Sequence, residues 1–151
     1  MMSIKEMTSH FDDKLQHITN KYGMFLLESS IGLIYIWFGA LKFFPGLSPA
    51  EKLAGETLSV IVFHSIDQQL LLWGLAIMEL IIGISLLFRS RSRIVISLVF
   101  LHMAGTLLPF FFFPDLAFNN PPFGFSIIGQ YIMKNLVIIC ALIIIYSKKR
   151  S

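Results

Sequence analysis

The chain has 151 residues and a net charge of +3, and 56% of its residues are hydrophobic while only 14% are charged. An ordinary soluble domain carries about 25% charged residues, and a soluble protein of this size could not bury so much apolar surface. The composition therefore argues against a soluble domain and predicts an integral membrane protein of one domain. Because the basic residues lie beside the apolar runs, they indicate membrane orientation, and we predict no nucleic-acid partner.

The N-terminal segment, residues 1–23, is mostly polar but carries an apolar stripe. The stripe repeats at spacings of three and four residues and consists of Ile4, Met7, Phe11, Leu15, Ile18 and Tyr22. This spacing predicts an amphipathic helix that lies on the inner membrane surface. The first apolar run that follows is too long for a cleavable signal peptide, so none is predicted.

Four apolar stretches are long enough to cross a bilayer, since about 20 helical residues span roughly 30 Å of hydrocarbon. They are residues 24–44, 69–88, 94–113 and 126–146. The sequence thus predicts an all-α protein whose membrane domain, residues 24–146, is a four-transmembrane-helix bundle. Cys140 is the sole cysteine of the sequence, which excludes an intramolecular disulfide or a paired-cysteine redox motif.

The connection between the first two spans, residues 48–67, contains the pattern of a further helix. Ser48 can cap it, Pro49 suits its first position and Glu51 completes a capping box. The segment is too short to span the membrane. It predicts an outer amphipathic helix that is packed across the bundle mouth.

Basic residues orient the spans. Arg89, Arg91 and Arg93 join spans two and three, and the tail formed by residues 147–151 is basic as well. Cytoplasmic connections carry an excess of Lys and Arg. We therefore predict a multi-pass protein of the cell inner, cytoplasmic membrane with both termini in the cytoplasm.

Phenylalanines crowd the outer ends of spans three and four, in the run 110–113 and at Phe118, Phe123 and Phe125. They indicate an aromatic belt at the membrane surface or a stacking platform for a quinone or another flat ligand.

Polar and small residues fall on one face of each predicted span. These faces carry Glu28, Gly32, Tyr35, Gly39 and Lys42 in span one, Ala76, Glu79 and Gly83 in span two, Leu98, His102, Gly105 and Pro109 in span three, and Gln130, Lys134, Val137 and Ala141 in span four. Small residues allow helices to approach closely, and polar residues in spans avoid lipid. All four faces are therefore predicted to point into the bundle.

The depth of each polar residue below the outer end of its span indicates which residues can pair. At about 1.5 Å per residue, Lys134 lies about 12 Å and Glu79 about 15 Å below the outer end of its span, so we predict that they pair. Lys42 is expected near the outer surface, where it can snorkel. The candidate buried polar site comprises Tyr35, Lys42, Glu79, His102, Gln130, Lys134 and Asn135.

The chemistry of this site stays open at this point. A buried ion pair can serve function or only fix helix packing. His102 is a hydrogen-bonded core residue or a proton carrier, and Gln130 and Asn135 either belong to the site or only bridge helices. The sequence indicates no catalytic residue and no metal site.

Two motifs carry a family resemblance that covers residues 25–146. The run IWFGALKFFPGLSP, with Gly39 and Lys42, and the run GQYIMKNLV, with Lys134, resemble those of the bacterial DoxX-like and YkgB-type membrane proteins. The resemblance implies a four-helix membrane bundle. Some DoxX relatives are subunits of a thiosulfate:quinone oxidoreductase, and others associate with redox or detoxification partners.

Three functions are compatible with these observations. The first is a non-catalytic membrane subunit or assembly partner, which contacts another membrane protein or a second copy of the chain. The second is a quinone-linked oxidoreductase subunit, for which a quinone or a lipid is the candidate ligand. The third, a small proton-coupled carrier, is supported by the intramembrane charges alone, and four spans without a repeat argue against it.

Overall fold

The computed structural model describes residues 4–48 and 51–147 and places four long helices side by side. These are α1 (Ile4–Leu41), α3 (Gln68–Leu87), α4 (Arg93–Leu107) and α7 (Ile127–Ser147). Each contributes a segment that is long and apolar enough to cross a membrane, which for α4 extends to Phe112. The predicted all-α four-helix membrane bundle is confirmed. Pro49 and the basic tail after Ser147 lie outside the described residues.

Five short elements lie at one end of the bundle. They are α2 (Glu51–Ile61), α5 (Pro109–Phe112), α6 (Pro114–Ala117), β1 (Phe118–Asn120) and β2 (Gly124–Phe125), and the two strands form an antiparallel hairpin. We call this end the capped end. The opposite end, with the α3–α4 loop and the last residues of α7, is the terminal end. The two halves of the bundle are named after these ends.

The predicted helix between the first two spans is α2, and its start is fixed by Glu51. The Glu51 carboxylate accepts the N–H of Gly46 at 2.8 Å, and the Glu51 N–H donates to the carbonyl of Ser48 at 3.2 Å. Gly46 has φ of +81°, a conformation that favours glycine. Gly55 brings α2 against the start of α3, because a Cβ there would collide with the Gln68 side chain.

Helix α1 runs without a break from Ile4 to Leu41. At 1.5 Å per residue it is about 57 Å long, well beyond the roughly 30 Å of hydrocarbon. The predicted N-terminal helix is therefore continuous with the helix of the first span. The apolar stripe is exposed along this N-terminal extension at Phe11, Leu15, Ile18 and Tyr22, while the Ile4 and Met7 side chains lie outside the described residues.

Helix α1 packs mainly on α3, and α4 packs mainly on α7. The α1–α3 contact is closest where Gly32 faces Gly83: a Cβ on Gly83 would lie 2.7 Å from the Gly32 carbonyl oxygen. The apolar core that joins the two pairs fills the terminal half and extends to the middle of the bundle, where Tyr35 and Met103 border the capped half. Its buried residues are Ile31, Tyr35, Ile82, Leu86, Val95, Ile96, Val99, Met103, Ala141, Leu142 and Ile145.

Aromatic rings close the capped end over α7. Phe118 and Phe125 stack on each other across the hairpin at 5.1 Å, and Phe110 contacts both rings. Gly129, in the first turn of α7, lies directly under the Ala117 carbonyl, where a side chain would not fit. These three phenylalanines thus pack on one another and hold the hairpin against α7.

Candidate functional site

Three helices bring four polar side chains together in the capped half. Tyr35 and Lys42 are seven residues apart and therefore share one face of α1, with Lys42 directly after the last helical residue. Glu79 comes from α3 and His102 from α4. Gly39 permits this meeting, because a Cβ there would lie 3.0 Å from the Glu79 Cβ. We call these four residues the polar array.

The strongest contact of the polar array is an ion pair. The Lys42 Nζ lies 2.6 Å from the Glu79 Oε2, and both side chains are buried, at 8% and 6% exposure. Lys42 also donates to the Phe38 carbonyl at 3.3 Å. A buried ammonium has three donors to satisfy, and the helix end supplies a second acceptor beside the carboxylate.

His102 extends the polar array from the carboxylate to a phenol. Its Nε2 lies 3.1 Å from the Glu79 Oε1, and its Nδ1 lies 2.9 Å from the Tyr35 hydroxyl oxygen. Because a carboxylate accepts only, a neutral His102 carries its proton on Nε2, and Nδ1 then accepts from the Tyr35 hydroxyl. Each of the four side chains is thus hydrogen-bonded, and the chain of contacts joins α1, α3 and α4.

The predicted Glu79–Lys134 pair is wrong. Both Glu79 oxygens are occupied by Lys42 and His102. Lys134 is exposed on α7, with its Nζ 5.2 Å from the centre of the Tyr131 ring, and no carboxylate of the described residues lies within ion-pair distance of it. Lys42, expected to snorkel at the surface, is the buried cation instead.

The predicted inward face of α7 is also only partly correct. Ala141 is buried, but Gln130, Lys134 and Val137 are exposed. Asn135 does bridge two helices, since its Nδ2 donates to the Thr106 Oγ1 on α4 at 3.1 Å. Of the seven predicted site residues, Tyr35, Lys42, Glu79 and His102 come together, and Gln130, Lys134 and Asn135 do not join them.

A second polar cluster, at the terminal end, was not predicted. Glu28 on α1 is 1% exposed and accepts hydrogen bonds from the Nε atoms of Arg89, at 3.3 Å, and Arg91. We call these three residues the arginine clamp. The sequence signal for this cluster is that Glu28 lies at the same end of its span as the basic loop between spans two and three.

The arrangement supports ion pairing and proton exchange within the bundle. Within residues 4–48 and 51–147, no group of three or more His, Cys, Asp or Glu side chains is placed to hold a metal ion. A proton can move along the polar array between the Tyr35 hydroxyl, the His102 imidazole and the Glu79 carboxylate, because adjacent groups are within hydrogen-bond distance.

Fold and site together define the class: a multi-pass helical membrane protein with an internal polar array. Comparison of the chain with protein-family models, curated proteins and solved structures finds no match in any of the three.

Proposed function

We propose that the protein is a non-catalytic membrane subunit or assembly partner that associates with another membrane protein. The observation that carries this proposal is the exposed polar surface of α7. Gln130 and Lys134 lie one turn apart within a segment of the length and composition of a membrane span, and both are exposed. Ionisable residues inside a membrane span are costly to expose to lipid and usually face protein.

The polar array supports the same proposal. Its members satisfy one another, and a buried pair of this kind can fix the packing of the helices that carry it. The array then holds α1, α3 and α4 in one arrangement, while α7 offers its surface to the partner. The resemblance to DoxX-like proteins, some of which are subunits of larger assemblies, agrees with this role.

The test is site-specific photo-crosslinking in cells. A photoreactive amino acid is placed at Val137, which is 72% exposed beside Lys134, and at Ile81, which is 52% exposed on α3. We expect a protein adduct of defined size from position 137 and none from position 81. Absence of a protein adduct from position 137, with the variant folded and in the membrane, would contradict the proposal.

A second candidate function is a quinone-linked oxidoreductase subunit. The chain of contacts from Tyr35 through His102 to Glu79 favours it, because proton transfer accompanies quinone reduction. The two candidates differ in what accompanies the purified protein. Extractable quinone in stoichiometric amount supports the second, whereas a stoichiometric partner protein without quinone supports the first.

For the orientation we propose that both termini are cytoplasmic, on the basic residues of the α3–α4 loop and the C-terminal tail. A Ser147→Cys variant in a Cys140→Ser background is expected to react with thiol reagents from the cytoplasmic side only. Labelling from the outside alone would reverse the orientation.

A further inference from the structure

One face of α7 is covered by the bundle in the terminal half and uncovered in the capped half. Lys134, Ala141 and Ile145 lie on this face, at spacings of seven and four residues. Ala141 and Ile145 are buried in the core, whereas Lys134 is exposed. Towards the start of the helix the same face carries Tyr131 and Ile127, which are 56% and 72% exposed.

The reason is the position at which α1 ends. Two hydrogen bonds show which residues lie at the same height along the bundle. Tyr35 is hydrogen-bonded to His102, and Asn135 is hydrogen-bonded to Thr106, which lies four residues further along α4. Thr106 is therefore about 6 Å nearer the capped end than His102, whereas α1 continues for about 9 Å beyond Tyr35 before it stops at Leu41. Helix α1 thus ends close to the level of Lys134, and the chain then leaves for α2, which packs on α3.

The ammonium of Lys134 lies beside this uncovered surface. Its Cα is about 10 Å from the start of α7, but its side chain turns towards that start, and its Nζ lies at the ring of Tyr131, about 6 Å from the start. Helix α7 has 21 residues, about the length that crosses the hydrocarbon layer. With α7 crossing the layer from end to end, the charge lies about 6 Å inside the hydrocarbon edge, below the level of lipid phosphates.

Resting on the proposed function, we infer that the partner inserts a transmembrane helix with an Asp or Glu side chain at this depth, beside α7 and over the end of α1. Charge complementarity selects an acidic partner: the cation has no carboxylate of its own among the described residues, and a desolvated ammonium needs an anionic acceptor. Tyr131 and Gln130 flank the contact.

A second copy of the chain does not supply this carboxylate. Glu28 and Glu79 are buried and already paired. Glu6, Asp12 and Asp13 lie in the N-terminal extension of α1, beyond the opposite end of the bundle. The other carboxylates lie at the capped end outside the four membrane-spanning segments; they are Glu51, Glu56, Asp67 and Asp115. No unpaired side-chain carboxylate of the described residues thus lies within a membrane-spanning segment at this depth, and the inferred partner is a different protein.

The probe is a leucine-rich single-span peptide with one Glu placed eight residues from the matching end, compared with peptides that carry Gln or Leu there. Association with the full-length protein is measured by energy transfer in phosphatidylcholine vesicles. We expect about tenfold tighter association of the Glu peptide than of the Leu peptide. Lys134→Met should abolish this preference. The matched control is Lys52→Met, which removes an exposed lysine from α2 and should leave the preference unchanged.

Charge reversal sharpens the test. Lys134→Glu should weaken association with the Glu peptide and strengthen association with a peptide that carries Lys at the same position. Equal association of all peptides with the wild-type protein would overturn the inference. So would a Lys134-dependent preference for phosphatidylglycerol vesicles without a Glu-peptide preference, which would assign the cation to a lipid headgroup, or Lys134-dependent energy transfer between two labelled copies of the protein.

The two proposals can fail separately. A protein adduct from position 137 without a Glu-peptide preference overturns the acidic contact and leaves the subunit role. A Glu-peptide preference without any protein adduct in cells supports the acidic contact and contradicts the subunit role.

Discussion

The terminal half and the capped half of the bundle join their helices by different means. In the terminal half, apolar side chains from all four long helices meet, and the arginine clamp closes the end. In the capped half, the polar array joins three helices and α7 is left with an uncovered face. Lipid offers apolar side chains almost the same surroundings as a protein core, so packing and polar contacts decide helix association in a membrane. The difference teaches that the capped half depends on a few specific polar contacts, whereas the terminal half combines one polar cluster with many small apolar contacts.

The largest loss of stability is expected from Glu79→Leu, which removes the central residue of the polar array in the capped half. It leaves the buried Lys42 without its carboxylate and His102 without its acceptor, so the free energy of unfolding should fall by about 3–5 kcal/mol. Detergent-based unfolding followed by circular dichroism measures it. Glu79→Gln is the shape-matched control and should cost less. A loss below about 1 kcal/mol for Glu79→Leu would mean that the pair is not a buried one.

The matching test of the terminal half is Leu142→Ala. Leu142 is fully buried in the apolar core, and truncation removes packing contacts and leaves a cavity, so we expect a loss of about 2–3 kcal/mol. Leu136→Ala on the same helix is the control, because Leu136 is 44% exposed and should matter little. Equal losses for the two variants would show that the core is not where we place it.

A smaller loss of unfolding free energy is expected from Gly83→Ala, at the point where α1 and α3 approach most closely. Gly83→Ala places a Cβ against the backbone of Gly32 and Ile36, which must move apart at a cost of about 1–3 kcal/mol. Gly74→Ala, also on α3, meets nothing within 4 Å and should be neutral. If both alanines were tolerated equally in thermal unfolding, the close contact would be absent.

The smallest effect is expected from Lys134→Met. Because Lys134 is exposed and forms no ion pair within the described residues, the isolated protein should change in unfolding free energy by no more than about 0.5 kcal/mol. The same unfolding assay applies. A loss comparable to that of Glu79→Leu would place Lys134 inside the bundle.

The fold could be predicted from the sequence because span length and helical spacing are local properties. The small residues at Gly32, Gly39 and Gly83 and the polar residues at Tyr35, Lys42 and Glu79 do share buried faces, as their spacing predicts. These faces follow from 3.6 residues per turn alone.

The partner of Glu79 could not be predicted, because it depends on where the long side chains turn. Depth counted from predicted span ends compares backbone positions and placed Lys42 at the surface, whereas the Lys42 side chain turns back along α1, donates to the Phe38 carbonyl and reaches Glu79. Because α1 ends at Leu41, close to the level of Lys134, the Lys134 side chain is left uncovered. Neither the direction of a long side chain nor the end of one helix relative to another is encoded in the spacing of a single span.

The most direct test of the account is a pair of double-mutant cycles on Glu79. Glu79→Leu is combined once with Lys42→Leu and once with Lys134→Leu, and the unfolding free energies of the single and double variants are compared in one detergent. We predict that the Lys42 cycle is non-additive by about 1–3 kcal/mol, with the double variant more stable than the sum of the single losses implies, and that the Lys134 cycle is additive within about 0.5 kcal/mol. Additivity with Lys42 together with coupling to Lys134 would contradict the account and restore the pairing that depth along the spans predicts.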